Sequence, residues 1–190
     1  MRWDALFSDM EAQFAEGGML AVEAEISERA RVEAASLVLA DRLRGGLGSQ
    51  VAVHLACGRT FEGRLSHAGA DALVLDESRH QVLVPYGAVV RYAGLGRISV
   101  AETSQVRRRI GLAHALRGLA RDRAAIAVIL RHIPAKDGGL TGVIDRVGSD
   151  FVDLALVSPG EARRAAQVRQ VATIPFESLG AVRSWHTGDL

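Results

Sequence analysis

Cysteine and lysine are almost missing from this 190-residue chain, and each scarcity excludes something. Cys57 is the only cysteine, so no internal disulfide forms and the fold must be held by packing, as expected of a protein in a reducing cytoplasm. Lys136 is the only lysine among 23 basic residues. The arginines are spread along the whole chain, so their number alone marks no site. Aromatic residues are only 5% of the chain, a thin supply for a protein that stacks bases. No apolar run approaches the roughly 18 residues that span a bilayer. The opening MRWDALFSDMEAQF sets charges inside its apolar pattern, which a signal peptide does not do. A formal net charge of +1 excludes a strongly basic coat and an acidic tail.

Catalytic signatures are scarce too. Gly94-x-Gly96 lacks the third glycine of a dinucleotide fingerprint, and no βαβ pattern surrounds it. No Walker motif or nucleophile elbow occurs. His54 and Cys57 stand three apart on a predicted strand, which sends them to opposite faces. The other histidines, at 67, 80, 114, 132 and 186, have no ligand spacing. The expectation is a non-enzymatic, cytoplasmic protein without metal or cofactor.

What is present begins with helix. Trp3, Leu6, Phe7, Met10 and Phe14 share one helical face. Gly17-Gly18 is expected to break that helix, and a second runs from about Leu20 to Arg44 with a stripe of Val22, Ile26, Ala30, Ala34 and Leu37. Two helices about a glycine turn predict a hairpin over residues 1–46. That segment holds five arginines and nine carboxylates, a net charge of −4. It is either a solvated surface or a docking surface for a basic partner.

From Val51 the period becomes two. VAVHLA, RTFEGRLSHAG, ALVLDE and QVLVPYGAVVRYAG read as five short strands in roughly 45 residues, the density of a small barrel. The pattern returns later. Gly142, Ile144, Gly148 and Asp150 stand 79 residues after Gly63, Leu65, Gly69 and Asp71, and Ile174-Pro175-Phe176 stands 90 after Val84-Pro85-Tyr86. The difference is an 11-residue insertion in the Arg-rich stretch SPGEARRAAQVRQ. Between the two copies a third helix is predicted from about Thr103 to Arg123, capped by Thr103 or Ser104. With Arg107, Arg108, Arg109, Arg117, Arg121 and Arg123 against Glu102 and Asp122, it carries +4. The expected class is α+β, mainly β, divided as helical hairpin (1–46), first barrel (47–101), basic linking helix (102–124) and second barrel (125–190).

Both copies resemble the Sm-like family. The Gly63-x-Leu65 step with the Asp71 turn, and Val84-Pro85-Tyr86, stand where that family places its first motif and the start of its last two strands. Gly142, Ile144, Asp150 and Ile174-Pro175 are similar in the second copy. The opening segment also resembles a group of small actinobacterial proteins. The resemblance implies two five-stranded Sm-like or SH3-like barrels, with Gly63, Asp71, Pro85, Gly142, Asp150 and Pro175 as structural motif residues. It further implies RNA as a partner, and edge pairing in a homo-oligomer or an intramolecular barrel pair. The family's Asn after the turn Asp and its Arg-Gly pair occur in neither copy. RNA contact, with a post-transcriptional role, is therefore expected from Arg107, Arg108, Arg109, Arg117 and Arg121 of the helix and Arg163, Arg164 and Arg169 of the insertion. The competing expectation is a protein-interaction scaffold that holds a partner through the acidic hairpin and the barrel edges. No membrane association is expected.

Overall fold

The computed structural model describes residues 2–106, 109–134, 139–156 and 170–185. The chain divides into two compact units, Met1–Val38 and Leu39–Leu190.

The first unit is one helix, α1, over Arg2–Ser36. The expected break at Gly17-Gly18 does not occur, and the helical hairpin is corrected to a single helix. The reason lies in what glycine lacks. It costs about 1 kcal/mol relative to alanine, yet it keeps its N–H and so leaves the helical ladder intact. Only proline would remove a bond, and residues 2–36 contain none. At about 1.5 Å per residue, α1 is roughly 50 Å long.

The second unit opens with a short helix, α2 (Leu39–Gly45), that places Leu43 fully inside. Five strands follow: β1 (Gln50–Leu55), β2 (Thr60–Ala68), β3 (Ala72–Asp76), β4 (His80–Pro85) and β5 (Val89–Ala93). Helix α3 (Leu112–Asp122) leads to β6 (Ala125–Leu130), β7 (Gly139–Val147), β8 (Phe151–Leu156), β9 (Gln170–Pro175) and β10 (Leu179–Trp185).

All ten strands belong to one antiparallel sheet in the order β5-β1-β2-β3-β4-β10-β6-β7-β8-β9. The expectation of two closed small barrels joined by a helix is overturned: the sheet is open and continuous. Closing the first half would need β4 to pair with β5. Instead β4 spends its outer edge on β10, with Val182 opposite Leu83 and Trp185 opposite His80. Strand edges left unpaired expose a row of backbone donors and acceptors, and pairing β4 with β10 within one chain satisfies two such edges together. Arg183 Nη2 on β10 lies 2.7 Å from Glu77 Oε2 beside β4, which adds an ion pair at the same seam.

The two halves of the sheet use the same devices. A register shift falls between Leu65 and His67 on β2 and between Ile144 and Arg146 on β7. Tyr86 donates its N–H to Asp71 O at 2.8 Å, and Phe176 donates to Asp150 O at 2.7 Å. A 3-10 turn follows Pro85 and another follows Pro175. At Gly63 any Cβ would stand 2.6 Å from Asp76 O, so the two strands approach too closely for a side chain.

Burial follows strand parity. On β2, Phe61, Gly63 and Leu65 face in while Glu62 and Arg64 face out, until the register shift turns both Ser66 and His67 outward. Strand β4 does not alternate, because it is covered on both faces. Val82 and Val84 join a core with Leu43, Val53, Leu65, Leu73 and Leu75. Leu83 joins a second with Leu112, Leu116, Ile126, Leu154 and Val182.

Candidate functional site

The expected basic helix is shorter than its charge pattern suggested. It starts at Leu112 after Gly111, not at Thr103 or Ser104, which lie in irregular backbone. Its first N–H, that of Leu112, donates to Asp71 Oδ1 at 2.7 Å. A cap supplied from the β2–β3 turn therefore decides where α3 begins. Ala70 N–H bonds Ile110 O at 2.9 Å and fixes the approach. Leu112 and Leu116 are buried against the sheet, and Arg117 and Arg121 face outward.

Of the eight arginines named from sequence, Arg109, Arg117 and Arg121 lie among the described residues, the last two one turn apart on α3. Arg109 is exposed and precedes α3. Arg117 Nη2 donates to Gly148 O at 3.0 Å, which ties it to the β7–β8 turn. Arg121 is exposed in the last turn, where a cation suits the helix dipole. Arg107, Arg108, Arg163, Arg164 and Arg169 lie outside the described residues. The structural motif residues stand at turns and close strand approaches. Gly63 and Gly142 sit where a Cβ would strike the neighbouring strand, Pro85 and Pro175 end β4 and β9, and Asp150 accepts from Ser149 Oγ at 3.2 Å.

Helix α1 presents a different surface. Phe7, Met19, Val22, Ile26 and Val32 are exposed by 59%, 66%, 56%, 62% and 61%. At 100° per residue, Met19, Val22 and Ile26 fall within about 60° of one another. Leu6 is 20 positions before Ile26, about 160° around the helix, so it lies opposite the second group formed by Met19, Val22 and Ile26. Acidic side chains border the second group: Glu23 and Glu33 lie within about 60° of Ile26. Within residues 2–36 there are eight carboxylates and three arginines. Two of those arginines are paired internally, Arg29 with Glu25 at 2.7 Å and Arg31 with Glu28 at 3.2 Å. These exposed pairs add little stability. They do cancel positive charge, and the remaining surface is acidic.

Among the described residues, three ionisable groups are displaced from their ordinary values. Burial pushes the Tyr86 hydroxyl up, reinforced by neighbouring Tyr92, and its OH donates to Gly69 O at 2.9 Å. Tyr92 is pushed up to about 12 by burial alone, and its OH has no partner among the described residues. At Asp76, burial would raise the carboxyl, but hydrogen bonds from Gln81, Ser66 and Arg64 together outweigh it and hold the group below its usual range. His54 is held between Thr60 Oγ1 and Arg91 Nη2, each at 3.0 Å, so Nε2 is the acceptor and Nδ1 carries the proton. Among the described residues no three His, Cys, Asp or Glu side chains gather as a metal site, and no helix is long and apolar enough to cross a membrane.

Two features were not drawn from the sequence. The continuity of α1 is one, since a pair of glycines signals a turn by composition alone. Arg131 is the other. It ends the apolar run AIAVIL, and an arginine closing such a strand was the available signal. No protein-family model matches the chain, and no curated protein matches it in sequence.

Proposed function

We propose that this chain is a non-enzymatic interaction module whose α1 docks a basic, amphipathic helical segment of a partner protein. The observation that carries this reading is the exposure of Met19, Val22 and Ile26 on one side of α1, each by more than half. Clustered apolar exposure of this kind marks a docking surface. A helix with apolar residues at i, i+3 and i+7, such as Met19, Val22 and Ile26, pairs most readily with another helix. Its carboxylate border selects a basic partner and disfavours a second copy of itself, which would bring like charges together. The single cysteine is consistent with a cytoplasmic setting.

Burying Ile26 fully contributes about 1.5–3 kcal/mol. The test is titration of the full chain with a synthetic amphipathic helix carrying Leu on one face and Lys or Arg on the other. Binding is expected to weaken with salt, and Ile26→Glu should raise Kd by roughly ten- to a hundredfold. No binding, or equal binding of a peptide with Glu in place of the basic residues, would overturn the proposal. So would a stable dimer formed through α1 in sedimentation.

Contact with RNA through the α3 region is the second reading, favoured by the exposure of Arg109 and Arg121 and by the Sm-like motif residues. Its test is an RNA mobility shift at low salt, with Arg109→Glu and Arg121→Glu expected to abolish it.

A further inference from the structure

The turn after β1 and the end of β6 bound an open cavity of about 280 Å³, lined by Ala56, Cys57, Arg131, His132, Ile133 and Pro134. Both walls are pinned: Ala56 N–H bonds Ala88 O at 3.1 Å, and Arg131 N–H bonds Ser178 O at 2.8 Å. The Arg131 guanidinium extends beside Gly87, where a Cβ would stand 3.7 Å from Nη1.

Arg131 is half-buried, and its Nε is closed to solvent without a hydrogen-bond partner among the described residues. Among the described residues no carboxylate lines the cavity, and His132 is the second polar side chain that could donate there. A buried guanidinium N–H left without a partner is costly, and the group that best matches the planar fork of its outer nitrogens is an oxyanion. Ala56, Ile133 and Pro134 supply a small apolar wall beside that fork.

We infer that this cavity binds a phosphate monoester, with Arg131 gripping the phosphate oxygens, His132 as a second donor and the apolar wall receiving a small organic group. The volume is below the usual range for drug-sized ligands, so the ligand is a small phosphorylated molecule or phosphate itself.

Cys57 makes the test direct, because it lines the cavity and is the only thiol. Alkylation of Cys57 in the full-length protein is followed with and without phenyl phosphate, inorganic phosphate or acetate. Phenyl phosphate is expected to slow labelling about tenfold at ten times its Kd, the fraction left unoccupied. Weaker protection by inorganic phosphate would show that the organic group contributes, and equal protection would identify phosphate itself as the ligand. Arg131→Ala should abolish protection, Arg131→Lys should weaken it, and Arg121→Ala should leave it intact. Arg131→Lys keeps the charge and the stem, so it reports even where the alanine variant fails to fold. Undiminished protection in Arg131→Ala, equal protection by acetate, or no protection at about ten millimolar phenyl phosphate would each overturn the inference.

Discussion

Removing the Asp71 carboxylate should loosen α3 without touching the turn that Asp71 belongs to. Its main-chain oxygen accepts the Tyr86 N–H at 2.8 Å, and that bond survives any side-chain change. Its side chain accepts the Leu112 N–H at 2.7 Å, the first amide of α3. Loss of a helix cap of this kind costs about 1 kcal/mol, and the lost charge at the helix start adds about 0.3–1 kcal/mol. Asp71→Ala should therefore cost about 1–2 kcal/mol. At about 2–4 °C per kcal/mol for a chain of this size, Tm should fall by about 2–8 °C. Asp71→Asn keeps an acceptor oxygen and should lose only the charge contribution. The assays are urea denaturation and amide exchange. Exchange of the α3 amides should quicken in the alanine variant while the β2–β3 turn stays protected. Unchanged exchange at Leu112, with stability within about 0.3 kcal/mol of the parent, would refute the cap and return Asp71 to an ordinary turn residue.

The two buried tyrosines should respond in opposite senses. Tyr86→Phe loses the bond to Gly69 O and should cost about 1 kcal/mol, whereas Tyr92→Phe removes a hydroxyl without a partner and should be neutral or stabilising in a urea titration. Both hydroxyls titrate higher in the folded state than at the ordinary value of about 10, so their contribution is full below that pH and is lost as pH rises above it, for Tyr92 through about 12. Alkaline unfolding should accordingly begin near pH 10, and the double Phe variant should flatten it. Asp76 has the opposite sign: its folded value is depressed, so its contribution is present above the ordinary carboxylate value of about 4 and is lost as pH falls through the lower folded value. Asp76→Asn should reduce the acid dependence of Tm. Gly63→Ala should cost about 1–3 kcal/mol, since its Cβ would meet Asp76 O at 2.6 Å and the strands must part; a variant as stable as the parent would refute that close approach.

Much of the second unit is readable along the chain because strand parity is a local property. The alternation at Phe61, Gly63 and Leu65 marks β2, and the glycine, aspartate and proline steps locate the turns that the structure closes with matching hydrogen bonds. Within each half β1 to β4 and β6 to β9 follow chain order, as neighbouring strands usually do, but β5 returns to β1 and β10 to β6. The candidate sites were less legible. A run of arginines shows charge but not partners, and Arg117 proves to be tied to Gly148 O. Arg131 is a single residue whose importance depends on Cys57 and Gly87, far away in sequence.

By itself the sequence determined the mainly β class, the alternating faces of β1 and of the first part of β2, and the acidic character of α1, because composition and period act within a few residues. Only the tertiary structure decided that β4 pairs with β10, which turns two expected barrels into one open sheet. The same level decided that Asp71 starts α3 from 41 residues away. Both outcomes rest on backbone groups finding partners across the fold, and that competition among edges and helix ends has no local signature.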